Sequence, residues 1–259
     1  MTNGAVTPEA PALDLRDVFK IYQEGETETV ALRGLDLRVE RGEVVALMGR
    51  SGAGKSTLLN LVGGMDTPNA GRVLVDGQDM GRLDETERAA LRRRAIGFVF
   101  QDNNLLPYLT ARENVAFPAT LLGHADAGMR AATLLTAVGL QERMAHRPHQ
   151  LSGGECQRVG VACALVTAPA VLLADEITGE LDSQTADHLI SLVIQLGRQM
   201  RAAVLLVTHN PEVAGRADRV LRIENGVIIT PLNQSRGETR GVGTGQQSRS
   251  NSSFGRGEG

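Results

Sequence analysis

Residues 49–57 read GRSGAGKST, set between the apolar run EVVALMG (43–49) and the apolar stretch LLNLVGG (58–64). A continuous apolar run ending in glycine predicts a strand buried on both faces. Gly49, Gly52 and Gly54 let backbone N–H groups turn inward around phosphate oxygens, while Lys55 adds a point charge and Ser56 a hydroxyl for Mg²⁺. Strand, glycine loop, Lys-Ser-Thr and helix in that order form the Walker A context. A chance glycine turn accounts for none of the other three parts.

Outward from that loop, 13–21 and 30–39 partly alternate apolar and polar residues, as half-buried strands do. Asp76-Gly77 and Asn225-Gly226 are tight-hairpin signals. IGFVFQ (96–101), VLLADE (171–176) and AAVLLVTH (202–209) read as further strands. From about 102 to 168 the pattern is helical, with Gly139 as a stop and a last helix opening at LSGG and running to Pro169. The expected fold class is α/β, with a mostly parallel core sheet, an antiparallel layer made by the first strands and the hairpins, and a helical subdomain inserted at 102–168. A tail at 1–12 precedes the domain at 13–230, and 231–259, rich in Gly, Ser, Gln and Arg, reads as a disordered tail.

A chain of 259 residues suits one large domain with a subdomain. Its 3% aromatic content leaves little for base stacking, and a net charge of -3 argues against broad attraction to nucleic acid. Arg92, Arg93 and Arg94 read as a solvated helix face. Cys156 and Cys163 fall in one predicted helix, so neither a disulfide framework nor a zinc site is supported. The start MTNGAVTPEAPALDL lacks a basic segment followed by an apolar core, and no apolar run approaches the roughly 18 residues that span a bilayer. A soluble, cytoplasmic protein is expected.

VLLADE delivers Asp175 toward a Mg²⁺ shell and Glu176 beside it. Adjacent carboxylates on a strand point to opposite faces, so Glu176 is expected at the strand exit, near an attacking water, as general base. LSGGE (151–155) fits a capping box, with Ser152 as N-cap and Glu155 reaching back. That leaves Gly153 and Gly154 unexplained, since glycine weakens a first turn unless another molecule approaches the backbone.

GRSGAGKST, Gln101 after a strand, LSGGECQR, VLLADE, the ELD at 180–182 and His209 after a strand resemble, in order and spacing, the ATP-binding subunits of ABC transporters. The resemblance covers about 13–230. It implies a head-to-tail homodimer in which each ATP lies between the loop of one chain, Gly49, Arg50, Ser51, Gly52, Ala53, Gly54, Lys55, Ser56 and Thr57, and Ser152, Gly153 and Gly154 of the other. It assigns Gln101 to Mg²⁺ and the γ-phosphate, Asp182 to the cross-dimer loop, Tyr22 to stacking on adenine, and His209 to the γ-phosphate and the water. Glu176, His209 and Lys55 then form the catalytic set, with Ser56, Gln101 and Asp175 on the metal.

AL-G-LDL, LLADE-TGELD and NNLLPYLTARENV look most like the macrolide-export and lipoprotein-release branch, of MacB, LolD and FtsE types. Such ATPases sit on the inner face of the membrane through a permease, whose coupling helix would dock on about Asp102 to Pro118. An FtsE-like transmission of force to a cell-wall complex is the alternative. A soluble ABC ATPase of DNA repair or translation is a further one, though such proteins usually carry two cassettes or a coiled-coil insert. This chain departs from its relatives at Ile177, where Pro is usual, at Glu180 for Asn, at Cys156 for Gln and at Cys163 for Arg. Ile177 is expected to leave the segment around Glu176 freer than Pro would. Together these changes are expected to retune turnover.

Overall fold

The computed structural model of the chain describes residues 9–229 apart from 26, 103 and 180. Most of both expected tails, and Glu180, lie outside the described residues. In chain order the elements are β1 (Leu13–Glu24), β2 (Thr27–Val39), β3 (Val44–Met48), α1 (Lys55–Val62), β4 (Ala70–Val75), β5 (Gln78–Asp79), α2 (Glu85–Ala95) and β6 (Ile96–Val99). They continue as α3 (Ala111–Leu121), α4 (Ala127–Ala137), α5 (Gly153–Leu165), β7 (Val171–Asp175), α6 (Ser183–Gln199), β8 (Ala203–Val207), α7 (Pro211–Ala214), β9 (Arg219–Glu224) and β10 (Val227–Ile229).

Among the described residues the strands form two sheets. One is antiparallel in the order β2-β1-β4-β5, and the other is mixed in the order β10-β9-β3-β8-β7-β6. In the second, β9, β3, β8, β7 and β6 run parallel and β10 returns antiparallel. The Asp76-Gly77 turn lies in the antiparallel sheet, as expected. The Asn225-Gly226 turn, also expected there, instead closes the edge of the mixed sheet, because β9 pairs in parallel with β3 and buries Leu221 and Ile223. Both turns have the positive φ that Asn, Asp and Gly tolerate, but a turn signal specifies a reversal, not the sheet that receives it.

The core strands are apolar without interruption because both faces are covered. Val45, Leu47, Leu173 and Leu205 pack toward the antiparallel sheet and α1, whereas Val44, Leu172, Val204 and Leu206 pack toward α3–α6. Successive side chains alternate faces, so one run of five residues feeds two cores. Each such aliphatic side chain, fully buried, contributes about 1.5–3 kcal/mol. Between β6 and β7, α3 opens on a Thr110–Glu113 capping box and α4 ends before Gly139, whose φ is +74. The helix that opens at LSGG stops at Leu165, short of Pro169, and Ala168 turns the chain at φ 51.

Candidate active site

Parallel pairing brings the carboxyl ends of β3, β8 and β7 side by side, the crevice where open α/β sheets hold ligands. After β3 the chain turns through 49–54 and enters α1 with Gly54 as a cap that supplies no side-chain hydrogen bond. The first turn holds no acidic side chain either, so its N–H groups and positive helix end suit an anion. Glycine is required by packing at two points. A Cβ on Gly54, at φ +108, would lie 2.7 Å from the carbonyl oxygen of Ala31, and one on Gly49 would lie 2.6 Å from that of Ile223. Lys55 Nζ donates to the carbonyls of Gly49 at 2.8 Å and Arg50 at 3.0 Å, drawing the loop closed. Behind the loop, the N–H of Gly226 donates to Ala53 O at 3.0 Å, so the β9–β10 hairpin braces the phosphate loop.

The loop opens on a cleft of about 750 Å³. Gly49, Arg50, Ser51, Gly52, Gly54, Lys55, Ser56 and Thr57 line it together with Tyr22, Gln101, Asp175, Glu176 and His209. Ala53 does not, because its side chain is buried in the core. β7 ends at Asp175, and Glu176 takes a left-handed φ of 45 while its N–H donates to Val207 O at 3.0 Å. That turn sends both carboxylates into one cleft, where an unbroken strand would part them. Burial, then the neighbouring Glu176, push the Asp175 carboxyl above its ordinary range, and Lys55 partly offsets them. His209 Nδ1 stands 3.5 Å from Glu176 Oε1. Asp175, the Ser56 hydroxyl and the Gln101 amide are hard oxygen donors lining one cleft. Such a set fits Mg²⁺, which takes few protein ligands beside phosphate oxygens and water.

Ser152, Gly153, Gly154 and Asp182 do not line this cleft. The capping box is present: Ser152 Oγ accepts from Glu155 N at 3.2 Å, and Glu155 Oε2 accepts from Ser152 N at 2.8 Å. Arg143 Nε donates to Glu155 Oε1 at 3.0 Å. The hydrogen bond from the Ser152 backbone, with help from Arg143 and against burial, holds the Glu155 carboxyl below the usual carboxylate range. A Cβ on Gly154 would meet Thr185 Cγ2 at 2.8 Å, whereas one on Gly153 would meet nothing within 4 Å. Packing inside the chain therefore explains one of the two glycines that the sequence left to an outside molecule. Asp182 caps α6, its Oδ1 accepting from Thr185 N at 3.0 Å.

Gln157 was not singled out in the sequence, yet it is 5% exposed and central. Its Nε2 donates to the carbonyls of Gln101 at 2.7 Å, Phe100 at 3.3 Å and Ile177 at 3.4 Å. One side chain of α5 thus ties together the chain exits of β6 and β7. The signal was an amide on the inward face of a helix, between Cys156 and Val159. Ile177 does not loosen its segment as expected: it is 1% exposed in the helical core, and Gln157 holds its carbonyl. Burial raises both thiols, that of Cys156 and that of Cys163, which suits packing rather than reactivity.

The lysine loop on β3 and the paired carboxylates on β7, two strands away, define a P-loop nucleotide-binding fold. The ABC transporter family profile matches residues 32–179. The chain is 48% identical over 217 residues to the lipoprotein-releasing system ATP-binding protein LolD of Psychrobacter arcticus, covering 83% of this chain and 96% of that one. It is 48% identical over 221 residues to the macrolide export ATP-binding/permease protein MacB of Marinobacter nauticus, covering 85% of this chain but 34% of that one. A dimeric structure of the bacterial ABC transporter cassette MJ0796 superposes with a TM-score of 0.76 at 40% identity, over 83% of this chain and 96% of that one. A dimeric post-hydrolysis state of the same cassette bound to ADP and Pi gives 0.75 at 38%, over 85% and 99%. This chain belongs to the ABC transporter family, as an ATP-binding and ATP-hydrolysing cassette of the kind found in LolD and MacB. No helix among the described residues is long and apolar enough to cross a membrane.

Proposed function

We propose that two copies of this chain clamp ATP between them and that the cycle drives an export- or extraction-type permease. One observation carries this reading: the cleft gathers the phosphate loop, both carboxylates, Gln101 and His209, while the glycine turn at 152–154 does not line it and a Cβ on Gly153 would meet nothing within 4 Å. A second copy would bring that turn, and the positive end of its α5, to the open side of the cleft.

In this scheme the α1 N–H groups and Lys55 hold the β- and γ-phosphates. Ser56, Gln101 and Asp175 would hold Mg²⁺, which supplies charge neutralisation on those phosphates. Glu176 takes the proton of the attacking water, worth about 10²–10⁴ in rate, and His209 orients that carboxylate and the γ-phosphate. Ser152, Gly153 and Gly154 of the second copy complete the phosphate cage, and Asp182 lies at the seam. Cleavage removes the group that both halves share, and the dimer opens.

The permease side is drawn on 102–118. Together with β6 and α5 that stretch borders a cleft of about 350 Å³ lined by Phe98, Leu106, Phe117 and Leu121, with Arg92 and Arg93 beside them. Tyr108 is 85% exposed on the same stretch, and an exposed apolar patch of this kind suits a protein partner. The ATPase would then work on the inner face of the membrane, with the cargo chosen by the permease.

Glu176→Gln in the presence of ATP should elute as a dimer, while wild-type turnover per protomer should rise with protein concentration. An ATP-loaded monomer, or turnover indifferent to dilution, refutes the shared site.

A further inference from the structure

At the outer wall of the cleft, Tyr22 is held by groups that the catalytic reading does not use. Tyr22 Oη donates to Asp66 Oδ2 at 3.0 Å. Lys20 Nζ donates to Asp66 Oδ1 at 2.6 Å and to Thr67 O at 3.0 Å. The same ammonium stands over the Tyr22 ring, 4.9 Å from its centroid, within cation–π reach. Lys20 is 9% exposed, and a buried ammonium persists only when it is paired. Although burial opposes it, Lys20, the Thr67 N–H and Tyr22 keep the Asp66 carboxyl below its ordinary range.

Asp66 stands in the loop that leaves α1, and its N–H donates back to Asn60 O at 3.3 Å. The same loop fastens β1 twice more, where Asn69 Oδ1 accepts from Ile21 N at 2.8 Å and Asn69 N donates to Phe19 O at 2.9 Å. The strand end that bears Tyr22 is thus tied to the tail of the helix whose head forms the phosphate loop.

We infer that Lys20 and Asp66 are positioning residues that set the Tyr22 ring to receive the base of ATP, and that the loop after α1 couples base recognition to the phosphate grip. The inference rests on the reading of Tyr22 as the adenine platform. Nothing in the phosphate or carboxylate chemistry requires either residue.

The test uses the full chain and five variants, Asp66→Asn, Lys20→Met, Lys20→Arg, Tyr22→Ala and Asp66→Asn combined with Tyr22→Ala, with melting temperatures to check folding. ATP and inorganic tripolyphosphate, a probe without a base, are bound in parallel. Asp66→Asn and Lys20→Met should raise the KM for ATP about 3–10-fold, the worth of one hydrogen bond or cation–π contact, with kcat within about twofold. Tripolyphosphate affinity should not move, Lys20→Arg should restore part of the loss, and Asp66→Asn added to Tyr22→Ala should weaken ATP no further. Equal weakening of both probes would mean a general loosening of the loop and would overturn the positioning role. So would an unchanged KM in Asp66→Asn beside a raised one in Tyr22→Ala. If Tyr22→Ala itself leaves ATP binding intact, the adenine platform falls, and this inference with it.

Discussion

Two glycine-rich helix starts in this chain look alike in sequence and differ in what demands their glycines. At 49–54 the demand is internal: Gly49 and Gly54 press on the backbones of Ile223 and Ala31, and Gly54 has a φ of 108. At 152–154 it is mostly absent: Gly154 answers to a methyl of Thr185, and Gly153 to nothing in its own chain. The first turn is a product of the fold. The second keeps a glycine that packing within the chain does not require, which agrees with the proposed contact with a second copy.

Substitution at the two turns should separate these demands. Gly54→Ala combines a left-handed residue, about 1–2 kcal/mol, with overpacking against backbone, about 1–3 kcal/mol. It should lower stability by about 3 kcal/mol in denaturant melts and abolish ATP binding; a stable, ATP-binding variant would show that the loop can yield. Gly153→Asp should do the reverse. An acidic residue in the first turn of α5 is locally favourable and meets no neighbour, so the fold should hold, while repulsion from the γ-phosphate lowers turnover at least about tenfold, or 1.4 kcal/mol. Normal turnover would remove the turn from the site.

Smaller effects test the cap itself. Ser152→Ala should cost about 1 kcal/mol of stability through the lost N-cap, read as a lower midpoint in urea. Glu155→Gln should cost less than about 1 kcal/mol, because Arg143 and Glu155 are partly solvated. Its pH dependence has a definite sign. The folded carboxyl lies below its ordinary value, so its contribution is present above the unfolded pKa of about 4.3 and is lost as pH falls through the folded pKa. Wild type and variant should therefore differ at neutral pH and converge in acid; a gap that persists in acid would mean the effect is not ionic.

Much of this was legible in the residues. The phosphate loop carries its own context, since strand, glycines, lysine and helix follow one another within about twenty positions, and local geometry follows local sequence. Asp175 and Glu176 could be paired with it because an apolar strand ending in two carboxylates has few other uses beside such a loop. The sheet that receives the Asn225-Gly226 hairpin was not legible, nor was the Gln157 clamp, nor the hold of Lys20 and Asp66 on Tyr22. Each joins positions far apart in the chain: Gln157 to Gln101 and Ile177, Asp66 to Tyr22, Ile223 to Gly49. Ile177 shows the same limit from the other side, since its backbone preference suggested freedom and its burial removed it.

Sequence alone determined that this protein carries a glycine–lysine loop on a β3–α1 turn and two carboxylates at the end of an apolar strand, because those features depend on neighbours a few residues apart. Tertiary structure decided which glycine serves the fold and which faces outward. It also decided how the cleft is braced from behind and what steadies its outer wall, because those depend on which distant backbones and side chains packing brings within a few ångströms.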